Sequence, residues 1–380
     1  MRLSRVLIVG LILTAFAFNP WAQMDLRELK TALAVIFAIA IFGIQVYRGG
    51  LKPCNNKWFL IILAYLPASL FFAKLTPISI GNMNISEFWF WKPFTYFLAF
   101  TLMGLAIASH EFTEKELSKV FKVISWCGFL TAFYVILQRL GADQFFYSDS
   151  PDTGPYAGFI ANPTLTAHYL AMSVPFVLLL RKWWMIPFLI AALLITDSLM
   201  AWGGLGGGMA FLVGSKGRIW AYSVGFLCLV AFGLLVANFP NGREHERFFR
   251  WGQVVKDTKT CSVTGRGLGR YTYFFQSENP GHGDKVNRFR QAHNDYLEWL
   301  YATGLIGTGL LFGAITHFFK NSFGFEYRRR VVMASLVTIM LIAFGCFDFQ
   351  IGTMAFLTAL LVGLLMNKEV IWQRSKRSIT

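Results

Sequence analysis

His293 is the residue in this chain best placed to move a proton at a membrane surface. It closes, with Asn294, a basic and polar stretch containing Arg288 and Arg290, and the residues that follow run without a break into an apolar segment. An imidazole titrates near neutrality, so on the first turn of a helix at such a boundary it could accept a proton from an attacking hydroxyl. It could equally satisfy one interfacial hydrogen bond. Helical periodicity puts Leu297, Tyr301 and Gly304 beneath His293 and turns Glu298 away by roughly 140°, which leaves Glu298 no obvious partner for the ring.

Upstream lies a second group with chemistry to offer. Arg247-Phe-Phe-Arg250-Trp251 is followed, fourteen residues on, by Gly265-Arg266-Gly267-Leu-Gly269-Arg270-Tyr271. Arg247 and Trp251 are spaced to share a helix face, where an indole can hold a guanidinium over a pocket. Arginine suits phosphate because its planar fork grips two oxygens and never loses its charge. The alternative is an amphipathic helix lying on the bilayer. A third stretch, Gly158-Phe-Ile-Ala-Asn162-Pro-Thr-Leu-Thr-Ala-His168, leads into an apolar run. Asn162 reads as a helix cap with Pro163 at the first position. His168, nearly two turns further on, is a polar group at membrane depth and so a site candidate.

The spacing His293-Asn294, nine residues, Gly304, two residues, Gly307 resembles the signature of the O-antigen ligase and polymerase superfamily, bacterial membrane enzymes that move a glycan from a polyprenyl pyrophosphate carrier to an acceptor hydroxyl. The Arg247–Trp251 and Gly265–Tyr271 segments and the Gly158–Pro163 entry are similar to further blocks of that family, so the resemblance covers roughly Gly158 to Gly307 discontinuously. It implies that His293 is catalytic and that Arg247, Arg250, Arg266, Arg270, Arg288 and Arg290 bind the substrate pyrophosphate. Asn294, Trp251, Gly265, Gly267, Gly269 and His168 are implied as supporting residues. It further implies no cofactor and no metal, a lipid-linked glycan donor, and lipid A–core or another lipid-linked glycan as acceptor. The expected setting is multi-pass in the bacterial inner membrane, with the active site on the periplasmic side. The motif tilts towards a ligase, with a polymerase as the alternative. One departure stands out. Many members carry Ser-Arg where this chain has Ser198-Leu199, and Asp197 brings the opposite charge. Either another cation substitutes or activity is altered. Asp197 and Asp25 also leave open a divalent metal. A lipid-linked glycan transporter and an inactive scaffold are the readings from other classes; a transporter predicts paired charges at the midplane, whereas these charges gather at helix ends.

Positioning such residues requires a membrane scaffold, and composition supplies one. The chain is 55% hydrophobic and 17% aromatic, with only 14% charge. Repeated apolar runs match the roughly 17–25 residues that cross a bilayer as a helix. A net charge of +15 would suggest nucleic acid in a soluble chain; here much of it sits in short loops, where it sets orientation, and no nucleic acid is expected. Met1 to Phe18 resembles a signal peptide but lacks a small-x-small cleavage site, so a retained first helix is expected. Cys54, Cys127, Cys228, Cys261 and Cys346 are scattered without metal-ligand spacing or a disulfide pattern.

The expected fold is an all-α polytopic membrane protein of about twelve spans, centred near residues 6–22, 29–47, 58–74, 88–108, 120–139, 164–180, 183–200, 203–214, 218–237, 295–319, 330–347 and 351–367. Nine spans would occupy 1–237, a long periplasmic loop 238–294, three spans 295–367 and a basic cytoplasmic tail 368–380. Arg48, Lys52 and Lys57, Arg181 and Lys182, Lys216 and Arg218, and Arg328 to Arg330 all fall in even-numbered connections, which makes both termini cytoplasmic. The mixed-sign stretch 109–119 is the one lapse. The outer loop from Asn238 to Ala292 holds ten Lys/Arg against five Asp/Glu. It reads as a solvated domain or as a positively lined pocket for an anionic group such as pyrophosphate. Glycines at 203, 204 and 206–208, and the pair Gly309 and Gly313, are expected to let helices approach closely.

Overall fold

A computed structural model of the chain describes residues 3–17, 26–51, 61–62, 64–65, 88–142, 156–160, 162–214, 251–252, 254–256, 258, 263–268, 271, 292–322, 326–346, 349 and 351–367. Among these residues the regular elements are helical and no strand occurs. In chain order they are α1 (Leu3–Phe16), α2 (Leu26–Gly49), α3 (Phe88–Ser109), α4 (Glu114–Arg139), α5 (Pro163–Leu179), α6 (Ile186–Thr196), α7 (Leu199–Gly214), α8 (Asp295–Ser322), α9 (Tyr327–Ile342) and α10 (Gly352–Met366). Among the described residues three stretches are long and apolar enough to cross a bilayer, 29–49 in α2, 114–139 in α4 and 295–317 in α8; α1, α5, α7 and α10 are shorter apolar helices. The protein is thus all-α with apolar helices of membrane-spanning character. The spans expected near 58–74 and 218–237 fall largely or wholly outside the described residues.

Local chemistry accounts for the helix boundaries. Asn162 caps α5, its Oδ1 accepting from Leu165 N–H at 3.1 Å, and Pro163 follows at the first position. At the start of α4, Thr113 and Glu116 form a reciprocal capping box. The span expected over 183–200 ends early, because Asp197 adopts a left-handed backbone (φ 47°) and α7 starts anew at Leu199. Short polar residues tolerate that conformation better than most, so an aspartate can serve as the joint. Asp197 thereby terminates a helix, and Asp25 lies outside the described residues.

Hydrogen bonds between helix ends sort the bundle into two faces. At one end, Ser4 Oγ donates to Glu116, Gln45 Nε2 to the Ser109 carbonyl, and Asn367 Nδ2 to the Ile107 and His110 carbonyls. Arg328 pairs with Glu114 at 2.7 Å, and Arg329 donates to the Leu365 carbonyl. At the other end, Lys30 is buried and its ammonium group donates to the Ala15 and Phe159 carbonyls. Thr31 accepts from Gly352 N–H, and Thr353 donates to the Thr14 carbonyl. Arg48, the Arg181–Lys182 turn and Arg328 to Arg330 therefore all lie towards the first end.

The glycines of α7 behave as expected. A Cβ on Gly204 would lie 2.7 Å from the Thr338 carbonyl oxygen, and one on Gly208 would lie 2.6 Å from that of Ala334, so α7 and α9 touch backbone to backbone. At Gly309 a Cβ would meet nothing within 4 Å among the described residues, so no close helix approach is seen there.

Candidate functional site

His293 does not sit on the first turn of α8. It precedes the helix, half-buried, with a left-handed backbone (φ 52°). A residue with a side chain gives up about 1–2 kcal/mol in that region, so its neighbours must hold it there. Ala292 is fixed from both sides: its carbonyl accepts from Trp251 Nε1 at 3.1 Å, and its N–H donates to Glu298 Oε2 at 3.1 Å. Asn294 then caps α8, its Oδ1 accepting from the N–H groups of Tyr296 and Leu297. The Asp295 N–H donates to the Ala343 and Cys346 carbonyls, and its carboxylate accepts from Phe349 N–H. The Glu298 carboxylate, which helical periodicity turned away from the ring, reaches back to the Ala292 N–H and so orients the peptide beside His293.

α8 breaks at Gly304, where φ 65° and ψ −167° lie in a region essentially closed to residues with a Cβ. A broken helix leaves carbonyls without partners, and at membrane depth these must be satisfied by protein. Three of them have a donor from elsewhere in the chain. The Tyr301 carbonyl accepts from Arg266 N–H at 2.9 Å, that of Ala302 from Gly267 N–H at 2.8 Å, and that of Thr303 from the Tyr65 hydroxyl at 2.7 Å. Beyond the break, Ile306 N–H donates to the Val263 carbonyl, and Trp299 Nε1 reaches the Gly307 carbonyl. Gly265 lies so close that a Cβ would come within 2.5 Å of the Ala302 and Gly304 backbone. The Gly265–Gly267 turn is therefore the partner of the broken helix.

Packing joins the three segments. Val254, Tyr271, Ala292 and Tyr301 form one buried cluster with Leu297 against it, and the Tyr271 and Tyr301 rings meet edge to face at 5.7 Å. The Arg266 guanidinium lies over the Tyr301 ring, 5.9 Å from its centroid, a cation–π arrangement. Tyr301 is about 9 Å along the α8 axis from Asp295. His293 thus stands just before the first turn of α8, at the positive end of its dipole, and the Arg266 guanidinium lies against the same helix nearly two turns further along.

The other expected residues distribute as follows. His168 is fully buried in α5, its Nε2 3.3 Å from Ser198 Oγ at the α6–α7 joint. This is the place where the family pattern expects Ser-Arg, and here the serine meets a histidine. The pair connects to the His293 region through neighbours: Met200 packs on Gly345, and the adjacent Cys346 carbonyl accepts from Asp295 N–H. Arg247, Arg250, Gly269, Arg270, Arg288 and Arg290 lie outside the described residues, as do Cys54 and Cys261. Sequence reasoning placed Tyr301 beneath His293 but missed Tyr65 and Asp295 as parts of the assembly. Tyr65 is 238 residues from its partner Thr303, a separation that leaves no mark in local pattern.

All of this geometry lies at the second end of the bundle. Asp295 contacts the last turn of α9, whereas the Arg328–Glu114 pair marks its first. No protein-family model matches the chain, and no curated protein matches it either.

Proposed function

We propose that the chain is a membrane glycosyltransferase that moves a glycan from polyprenyl pyrophosphate to an acceptor hydroxyl, most nearly of the O-antigen ligase type, with lipid A–core as acceptor. One observation carries the reading: the three stretches Trp251–Thr258, Val263–Tyr271 and Ala292–Gly307, separate in sequence, converge on the peptide that holds His293. A purely structural surface helix would have no need to grip Ala292 from two sides and impose a left-handed histidine. The position of the site, at the end of the bundle away from Arg48, Arg181 and Arg328, supports a periplasmic reaction under the positive-inside rule.

In this reading the acceptor oxygen attacks the anomeric carbon while His293 accepts the hydroxyl proton. The bond from the anomeric carbon to the pyrophosphate oxygen breaks, and polyprenyl pyrophosphate leaves with its charge held by Arg266 together with Arg247, Arg250, Arg270, Arg288 and Arg290. Pyrophosphate is a good leaving group, so placement and charge stabilisation supply most of the catalysis.

The test uses purified protein and its His293→Ala variant in nanodiscs, each given a lipid-pyrophosphate-linked glycan with lipid A–core or without added acceptor. The expected outcome is transfer to lipid A–core by the wild type and a loss of 10²-fold or more in the variant, the scale of removing a general base. A ladder of longer lipid-linked chains without acceptor would make the enzyme a polymerase. Equal product from both proteins would overturn the role of His293.

A further inference from the structure

The first end of the bundle carries a surface that the transfer chemistry does not use. Lys115, Lys119, Lys122 and Trp126 follow one another at spacings of four, three and four along α4, which places them on one helix face. Phe129 and Phe133 continue that face towards the middle of the helix. All three lysines are exposed, as are Trp126 and Phe133, at 43% and 40%. The stripe therefore passes from ammonium groups through an indole to phenyl rings, the order in which a phospholipid passes from phosphate through glycerol to acyl chain.

The α5–α6 turn completes the surface. A cleft of about 220 Å³ is lined by Lys122, Ser125, Trp126, Leu180, Lys182 and Met185. This is many times the volume of one water, and two ammonium groups stand at it. Neither Lys122 nor Lys182 forms an ion pair among the described residues. Arg181 is exposed beside them with a left-handed backbone (φ 55°). Trp184 stacks edge-on against Trp126 at 5.8 Å and Phe129 at 4.9 Å, and Trp183 next to it is 63% exposed. An aromatic wall with a cationic rim is thus assembled from two separate helical segments. α4 is 26 residues long, about six more than the ~20 needed to cross the hydrocarbon, so its first turn and a half has room at headgroup level and the Lys122 stem, one turn further in, can carry its ammonium group back to that level.

We infer that this cleft binds the headgroup of an anionic phospholipid, its phosphate between Lys122 and Lys182 and one acyl chain along Trp126, Phe129 and Phe133. Charge complementarity selects the anionic lipid over the zwitterionic one, since basic residues at a membrane surface attract acidic headgroups. The continuous aromatic stripe selects a lipid over a free phosphate.

Native mass spectrometry of the full chain, released from detergent with phosphatidylglycerol or phosphatidylcholine, tests this. The wild type should retain one more phosphatidylglycerol than the Lys122→Gln/Lys182→Gln variant, and an excess of inorganic phosphate should not displace it. The Arg48→Gln/Lys320→Gln variant, which loses the same charge elsewhere, should retain the wild-type number. Thermal unfolding of the variants in lipid-free detergent separates loss of binding from loss of fold: equal midpoints are expected. Equal retention by the wild type and the Lys122/Lys182 variant would overturn the inference. So would equal retention of phosphatidylcholine, or displacement by phosphate.

Discussion

At the residue scale, His293 has two properties that mutation can separate. Its ring carries the proposed chemistry, and its backbone occupies a left-handed conformation (φ 52°) that glycine adopts freely and a β-branched residue resists. His293→Gly should keep the unfolding midpoint of the wild type or raise it slightly, whereas His293→Val should lower stability by about 1–3 kcal/mol. Both should lose transfer activity. Chemical unfolding in detergent, read beside the transfer assay, checks the pair, and a destabilised glycine variant would show that the ring itself holds the structure. Trp251 belongs to the same scale. Its indole N–H donates to the Ala292 carbonyl, so Trp251→Phe should cost about 1 kcal/mol while removing only that bond and part of the ring. Transfer should fall more than stability does, because the bond positions the histidine.

At the scale of elements, the decisive feature is the break in α8. Gly304→Ala would place a Cβ 2.4 Å from the Val263 carbonyl oxygen in a backbone region closed to it. A loss of about 3 kcal/mol or more is expected, with transfer abolished, read as a lowered unfolding midpoint. Gly309→Ala, five residues on and with room for a Cβ among the described residues, should be neutral or stabilise by up to ~1 kcal/mol, since alanine is the better helix former. The contrast between these two glycines marks how far the sequence could be read. Apolar runs reveal α2, α4 and α8 because a helix at membrane depth needs only length and hydropathy. Asn162-Pro163 reveals the start of α5 because a cap is chemistry between near neighbours. Gly304 and Gly309 look alike in hydropathy, and partners far away in the chain, Val263, Arg266, Gly267 and Tyr65 among the described residues, mark one of them as the break. The left-handed turn at His293 was hidden for the same reason, since Trp251 and the end of α9 impose it. The shared face of Arg247 and Trp251, by contrast, was an expectation from spacing, and the Trp251 half of it proves to serve Ala292.

At the scale of the whole molecule, the basic end of the bundle contains a group that senses pH. His110 lies between α3 and α4, edge-on to Phe112 at 4.6 Å, and its Nε2 is buried with no hydrogen-bond partner among the described residues. Burial holds its pKa below the ordinary histidine value; the nearby Glu116 carboxylate opposes this, Arg48 reinforces it, and Glu111 opposes it weakly. A base whose folded pKa is lowered binds fewer protons folded than unfolded. Its contribution to stability is therefore complete above the ordinary histidine value of about 6.5 and is lost as pH falls below that through the folded pKa. The unfolding midpoint should drop over that acid window, and less so in His110→Gln. A pH profile identical in the variant would remove His110 from the account. Because Asn367 at the end of α10 donates to the Ile107 and His110 carbonyls, the loss should appear first as loosening of α10 from α3.

The donors that satisfy the broken helix also set a timetable for synthesis. Tyr301 follows Arg266 by 35 residues, and Thr303 follows Tyr65 by 238. During translation the Gly265–Gly267 turn therefore waits for its acceptors while those 35 residues are added, about 2–7 s at ordinary elongation speeds. A ribosome paused in that interval after residue 293 holds a chain in which the proposed histidine and all of its arginines already exist. What it lacks is the segment of α8 leading to the break at Gly304, and with it the Tyr301 and Ala302 carbonyls that accept from the turn.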